Sequence, residues 1–308
     1  MRQIIPYIAI ITAMLIWAGA GIAVQEALEM FGPYTLIVLR FTLAVLLMLA
    51  IGWIFRRSDV LGLQRIEKRD VPLFVLGSLF QPCLYFIFET FTYKSIASPT
   101  IAEAMLSTQP VLAPIFAMVL LRERITRNNI IGIVLSTIGM LMLLLIGSNN
   151  FRLGDPWGIL LAFVTVSMSV SYTIVLRRIP SHYSPLSIIF YVQLFSLAIF
   201  YPLWGFTEAG QCLHAIPHCT TLHQATPLLA VLYLAVLASV AAFVLFCYTV
   251  RKIGVTRANV FNNIRPVFTA LLMWIIFDEI LPIWKLVGII VIIIGLFISQ
   301  KHEKDNNN

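Results

Sequence analysis

Arg265 stands about eleven residues into the apolar stretch 254–277, or about 16 Å along a helix rising 1.5 Å per residue. A guanidinium there stays charged and presents a planar fork that suits a carboxylate, whether of a solute or of a glutamate on a neighbouring helix. Thr256, Asn259 and Asn263 precede it and Pro266 follows, at spacings of three, four and three that fall on one helical face. The stretch 99–121 has the same spacing with other chemistry: Thr100, Glu103, Ser107 and Pro110. Two such polar faces could line a solute path or could join helices by hydrogen bonds, and the spacing favours a lining. Where the two faces differ, Glu103 against Asn259 and Gln109 against Arg265, specificity for a substrate is expected.

Glu89, Glu103 and Arg40 form a second group. Each lies a turn or two inside its apolar stretch, and all three share one level if the stretches span a bilayer. An Arg40–carboxylate pair is the simplest expectation. A glutamate whose pKa is raised by burial and reset by contact with water would instead be a proton site. Trp17, Tyr85 and Tyr172 are aromatic enough to stack on a ligand, although most aromatic residues in such a chain pack or anchor at interfaces. Pro110 and Pro266 could be hinges, because each removes a backbone hydrogen bond. Cys212 and Cys219, in the segment 207–226, could form a disulfide in an oxidising compartment. His214, His218 and His223 share that segment, but their spacing fits no standard zinc pattern, and no metal site or cofactor is expected. No glycine-rich phosphate motif occurs, which argues against an ATP motor within the chain.

These residues need a frame. Of the 308 residues 60% are apolar and only 11% charged, with a mean hydropathy of +0.92. A water-soluble domain carries about 25% charged residues, so the composition calls for a bilayer. Ten apolar runs are long enough to span it: 6–27, 33–55, 71–93, 99–121, 129–146, 156–176, 185–206, 227–250, 254–277 and 282–300. Eight of the fifteen prolines lie in the first turn of a run, where their missing N–H costs nothing. The expected fold class is all-α polytopic membrane protein. Ala18-Gly19-Ala20 resembles a cleavage site, but the run continues to Ala27 and is expected to stay as the first span.

The N-terminus and the loops after spans 2, 4, 6, 8 and 10, counted with the first turn of the span that follows, carry sixteen of the 21 basic residues. Lys94, Arg152 and Lys285 lie on the other side, and Arg40 and Arg265 lie within spans. This bias puts both termini in the cytoplasm and accounts for the +7 net charge without nucleic acid. A repeat runs through the same frame. Pro110, Glu123, Gly132 and Gly139 match Pro266, Glu279, Gly288 and Gly295 at one offset, 266 − 110 = 156 residues. Five spans per copy is an odd number, so the copies enter the membrane from opposite sides: ten transmembrane helices as two inverted five-helix repeats, over 6–147 and 156–300, with a disordered cytoplasmic tail at 301–308. The glycines, seven apart on spans 5 and 10, allow close helix packing within the chain or in a homodimer.

Trp17-Ala18-Gly19, Arg40-Phe41 and the block from Ala102 to Gly139 with Gln109-Pro110 and Arg122-Glu123-Arg124 resemble an EamA domain. The block from Ala258 to Gly295, with Arg265-Pro266 and Asp278-Glu279, resembles its second copy. Span 6 departs from the pattern, with Ser169 near the place that Trp17 takes in span 1. The resemblance implies a ten-helix transporter of the drug/metabolite transporter superfamily, with spans 5 and 10 peripheral and the others around a central path. It also implies export of amino acids, other metabolites or toxic, drug-like compounds across the inner (cell) membrane. Proton antiport and facilitated diffusion are both open. A membrane enzyme would need clustered acid, base and nucleophile, yet no histidine lies in a span. A receptor or scaffold would not need polar faces in both halves.

Overall fold

The computed structural model describes residues 4–58, 61–95, 106, 108–122, 125–145, 156–209, 222–277 and 283–300. Glu103, Ser107, Glu123, Cys212, Cys219, Glu279 and the tail lie outside the described residues. Among the described residues all regular structure is helical, and it falls into ten helices at the ten apolar runs. They are α1 (Ile5–Leu28), α2 (Pro33–Ile54), α3 (Val71–Ser78, Leu79–Leu84 and Tyr85–Ser95), α4 (Gln109–Leu121), α5 (Arg127–Leu145), α6 (Pro156–Arg178), α7 (Pro185–Thr207), α8 (Leu222–Tyr233, Leu234–Ala242 and Phe243–Ile253), α9 (Val255–Val260, Phe261–Ile264 and Arg265–Phe277) and α10 (Ile283–Gln300). Six helical segments are each long and apolar enough to cross a bilayer by themselves. Large apolar side chains face outward all along them, Phe206 being 91% exposed and Trp53 76%. Lipid is the solvent that makes such a surface stable, so the chain is an all-α polytopic membrane protein.

The starts and stops follow from local chemistry. Proline stands in the first turn of α1, α2 and α4. Ser184 caps α7, its side chain accepting from the Ser187 N–H at 3.1 Å. Arg122 closes α4 in the left-handed region at φ 55°. Gly254, at φ 89°, makes the turn that lets α9 begin directly after α8, where a Cβ would be strained.

Three helices are irregular. Leu79–Leu84 of α3 and Leu234–Ala242 of α8 are π-helical, and shifted by 156 residues the first falls inside the second. In α3 the chain leaves helical geometry at Gln81 (φ −148°, ψ 121°), before Pro82. In α9 a 3₁₀ turn at Phe261–Ile264 precedes the segment that starts at Arg265. That segment, Arg265–Phe277, matches α4 end to end at the same offset. Pro110 therefore sits in the opening turn of the segment Gln109–Leu121.

The packed units divide the chain differently from the sequence repeats. One unit comprises Met1–Cys83 and Arg178–Thr249, the other Leu84–Arg177 and Val250–Asn308, so each draws helices from both halves. In the first, α2 packs on α7 and α8, and α1 on α8, around Ala27, Leu36, Ala230, Val231, Leu234 and Ala238. In the second, α4 packs on α9, and α10 runs along α5. The repeat glycines of α5 and α10 meet each other: a Cβ on Gly132 would lie 2.5 Å from the Gly295 carbonyl oxygen, and one on Gly139 would lie 2.7 Å from that of Gly288. The glycine face is thus filled within the chain, and a homodimer through α5 and α10 would have to use their outer faces.

Candidate functional site

In the first unit polar groups converge on the π-helical part of α8. A π turn widens the backbone and leaves carbonyls that its own amides do not satisfy, a cost that hydrocarbon makes severe. Side chains from three other helices meet it. Trp17 of α1 donates through Nε1 to the Ala238 carbonyl at 3.2 Å, and Gln193 of α7 donates through Nε2 to the Ser239 carbonyl at 2.6 Å. Arg40 of α2 donates through Nε to Ser239 Oγ at 3.0 Å, with its guanidinium 5.1 Å from the centre of the Phe41 ring. Arg40 is 7% exposed, Gln193 2%, and Ser239 fully buried. Trp17 also packs edge-on to Phe243 at 5.0 Å. Gln193 and Ser239 were not among the residues expected from the sequence. A glutamine in the middle of an apolar run was the available signal for the first; nothing marked the second.

In the second unit Thr256, Asn259 and Asn263 of α9 are buried, as are the residues between them except Arg257. Asn259 donates to the Val255 carbonyl at 2.9 Å and accepts from Asn262, a residue the spacing had not selected. Asn263 donates through Nδ2 to Ser136 Oγ of α5 at 2.8 Å, a helix-to-helix bond. Its Oδ1 is buried without a hydrogen-bond partner, as is the Thr137 hydroxyl one residue beyond Ser136. Arg265 follows at the 3₁₀-to-α junction and is partly buried, and Gln109 is buried at the matching start of α4. Pro266 lies in the first turn after that junction. Tyr85 donates to Glu89 Oε1 at 2.8 Å within α3, and Tyr172 is buried in α6. Cys83 and Cys247 are buried within helices and form no disulfide.

Two further arrangements lie at helix ends. Glu208, after α7, accepts from the backbone N–H groups of Tyr34 (3.2 Å) and Thr35 (2.8 Å) and from the Thr35 hydroxyl (2.9 Å), placing an anion on the N-terminus of α2. Near the opposite end of α2, Tyr183 donates to Asp70 Oδ2 at 2.8 Å and accepts from the Glu67 N–H at 2.9 Å. Burial holds the Tyr183 phenol above its ordinary 10.0; the Glu67 N–H opposes this, and the Asp70 carboxylate adds to it. His182 lies 3.6 Å from Glu67, so Glu67, Asp70 and His182 bring possible metal-ligand atoms within 4.8 Å of one another. The Arg69 guanidinium already occupies Glu67 at 2.8 Å.

The profile of the EamA-like transporter family matches residues 4–145 and again residues 156–300. The chain belongs to the EamA-like transporter family. The EamA chain is 26% identical over 311 residues to the uncharacterized transporter YetK of Bacillus subtilis, covering 98% of this chain and 89% of the relative. It is 23% identical over 281 residues to a protein of Streptantibioticus cattleyicolor named "Probable terminal-alkyne amino-acid exporter", covering 91% of this chain and 88% of that one. A solved crystal structure shares the fold, with a TM-score of 0.78 at 20% identity over 96% of this EamA chain and 97% of that one. Two EamA matches in one chain agree with the duplication read from the prolines and glycines.

Proposed function

We propose that this EamA protein is a secondary transporter that exports amino acids or related small metabolites by alternating access. In this reading it lies in the inner (cell) membrane, with both termini in the cytoplasm and repeats at 6–147 and 156–300. The observation that carries it is the buried polar face of α9: Asn259, Asn262 and Asn263 at a helix discontinuity, followed by Arg265. Broken helices at membrane depth are where transporters expose backbone and side-chain dipoles to a solute. The Asn263 oxygen and the Thr137 hydroxyl lack protein partners and are available to a polar ligand. The exporter relative supports the amino-acid class.

Arg265 is assigned the solute carboxylate, with Asn259, Asn263, Gln109, Glu103 and Ser107 along the path and Pro110 and Pro266 as hinges. Glu89 and Glu103 are the proton-site residues if export is coupled to proton entry. A Cys212–Cys219 disulfide and a homodimer through the outer faces of α5 and α10 complete the reading. The test is a thermal-shift screen of purified protein against amino acids and metabolites, followed by flux in proteoliposomes. Arg265→Ala is expected to abolish stabilisation by carboxylate-bearing hits. Unchanged binding of every such hit in that variant would overturn the assignment.

A further inference from the structure

We infer that the break at Gln81–Pro82 in α3 is a hinge of the transport cycle, and that the matching break in α8 is a fixed bend. The inference rests on the alternating-access reading above and adds a moving point to Pro110 and Pro266.

The chain passes between the two packed units at three points. Two lie near helix ends, Arg177–Arg178 in α6 and Thr249–Val250 in α8. The third, Cys83–Leu84, falls inside α3. Each half of that helix is tied to its own unit. Before the break, the Phe74 ring packs edge-on to Tyr183 at 5.3 Å and to Tyr191 at 5.8 Å. Beyond it, the Thr92 hydroxyl lies 3.4 Å from that of Thr165 in α6. A displacement of one half against the other has to be taken up between them.

The residues there suit that task. Gln81 is outside helical geometry and Pro82 has no N–H, so the hydrogen bonding that stiffens a straight helix is interrupted. The repeat counterpart in α8 shows what a fixed bend requires. Trp17, Gln193 and Arg40, from three helices, hold Ala238 and Ser239 of Leu234–Ala242, and all of these lie within one unit. Among the described residues no side chain hydrogen-bonds to Leu79–Leu84. Hinge motion is absorbed by a few residues of this kind, at an interruption that neighbours do not clamp. Glu89, about two turns beyond the break, would turn with the second half.

The test places paired nitroxide labels on the full chain in proteoliposomes, with its four cysteines replaced by alanine. Val75→Cys with Phe91→Cys straddles the break in α3, and Leu229→Cys with Leu245→Cys straddles that in α8. Both pairs have one spacing, 91 − 75 = 245 − 229 = 16 residues, about 24 Å along a straight helix. In double electron–electron resonance the α3 distance is expected to shift or split when a transported amino acid is added, and the α8 distance to hold. Separately, Pro82→Ala in the native chain restores an N–H. It is expected to slow counterflow about fivefold or more, the weight of one backbone hydrogen bond, with stabilisation by the solute unchanged. Each arm carries the test if the other's variant fails to fold. An α3 distance that holds as the α8 distance does, or a folded Pro82→Ala that exchanges at the wild-type rate, overturns the hinge alone. Wild-type protein that moves no amino acid overturns the export reading and the hinge with it.

Discussion

Adding one methyl group to a helix glycine is expected to have opposite effects at different places in this protein. At Gly132 a Cβ would stand 2.5 Å from the Gly295 carbonyl oxygen, the Ser299 nitrogen and the Ser299 Cβ. Ordinary contact begins near 3.4 Å, so α5 and α10 would have to part by about 0.9 Å there. The Asn129–Ser299 hydrogen bond on the same seam would stretch from 2.6 Å to about 3.5 Å, at the edge of bonding. Overpacking costs about 1–3 kcal/mol, and the lost bond adds roughly 1 kcal/mol. Gly21 in α1 and Gly205 in α7 have nothing within 4 Å of the added carbon. Alanine there is expected to be neutral or to stabilise by about 0.5–1 kcal/mol, since glycine is the weaker helix former. The assay is reversible unfolding in mixed detergent micelles, with Gly132→Ala, Gly295→Ala, Gly21→Ala and Gly205→Ala compared in one series. Equal stabilities for Gly132→Ala and Gly21→Ala would refute the close seam between α5 and α10.

Other outcomes follow from the helix ends and the π turn. Glu208→Ala leaves the N-terminus of α2 without its anion and is expected to lower stability by about 0.5–2 kcal/mol in the same unfolding assay. Tyr183 has a folded pKa raised above 10.0, so its favourable neutral state is fully present below that pH and is lost as pH rises through the raised value. Stability measured from pH 9 upward should therefore fall in wild type and fall less in Tyr183→Phe, which should also lose about 1–3 kcal/mol at neutral pH through the Asp70 and Glu67 hydrogen bonds. Trp17→Phe keeps the packing on Phe243 but leaves the Ala238 carbonyl of the π turn without its indole donor. It should cost about 1 kcal/mol or more and be read in the same series.

The helices were legible because the bilayer dictates them: a long apolar run opened by proline has one stable form in lipid. The repeat was legible because Pro110 and Pro266 open corresponding helical segments, and the glycine pairs mark one seam. Helical spacing put Thr256, Asn259 and Asn263 on one face, but Val255, Ala258, Val260, Phe261 and Asn262 are buried with them, so burial does not single that face out. The π stretch of α8 was not legible, since Leu234–Ala242 is apolar text and its geometry is held by Trp17, Arg40 and Gln193 from distant parts of the chain. The hydrogen bond from Arg40 to Ser239 joins helices 199 residues apart in sequence, and no spacing rule selects Ser239. The Glu208 cap on Thr35 spans 173 residues and is likewise a tertiary fact.

The proposed export of amino acids is tested most directly by counterflow. Purified protein reconstituted in proteoliposomes, preloaded with one unlabelled L-amino acid and placed in its radiolabelled form, is predicted to accumulate label faster than protein-free vesicles, with Arg265→Ala reduced to the protein-free rate. Wild-type protein that is folded and correctly inserted, yet matches empty vesicles for every amino acid tested, would contradict the account.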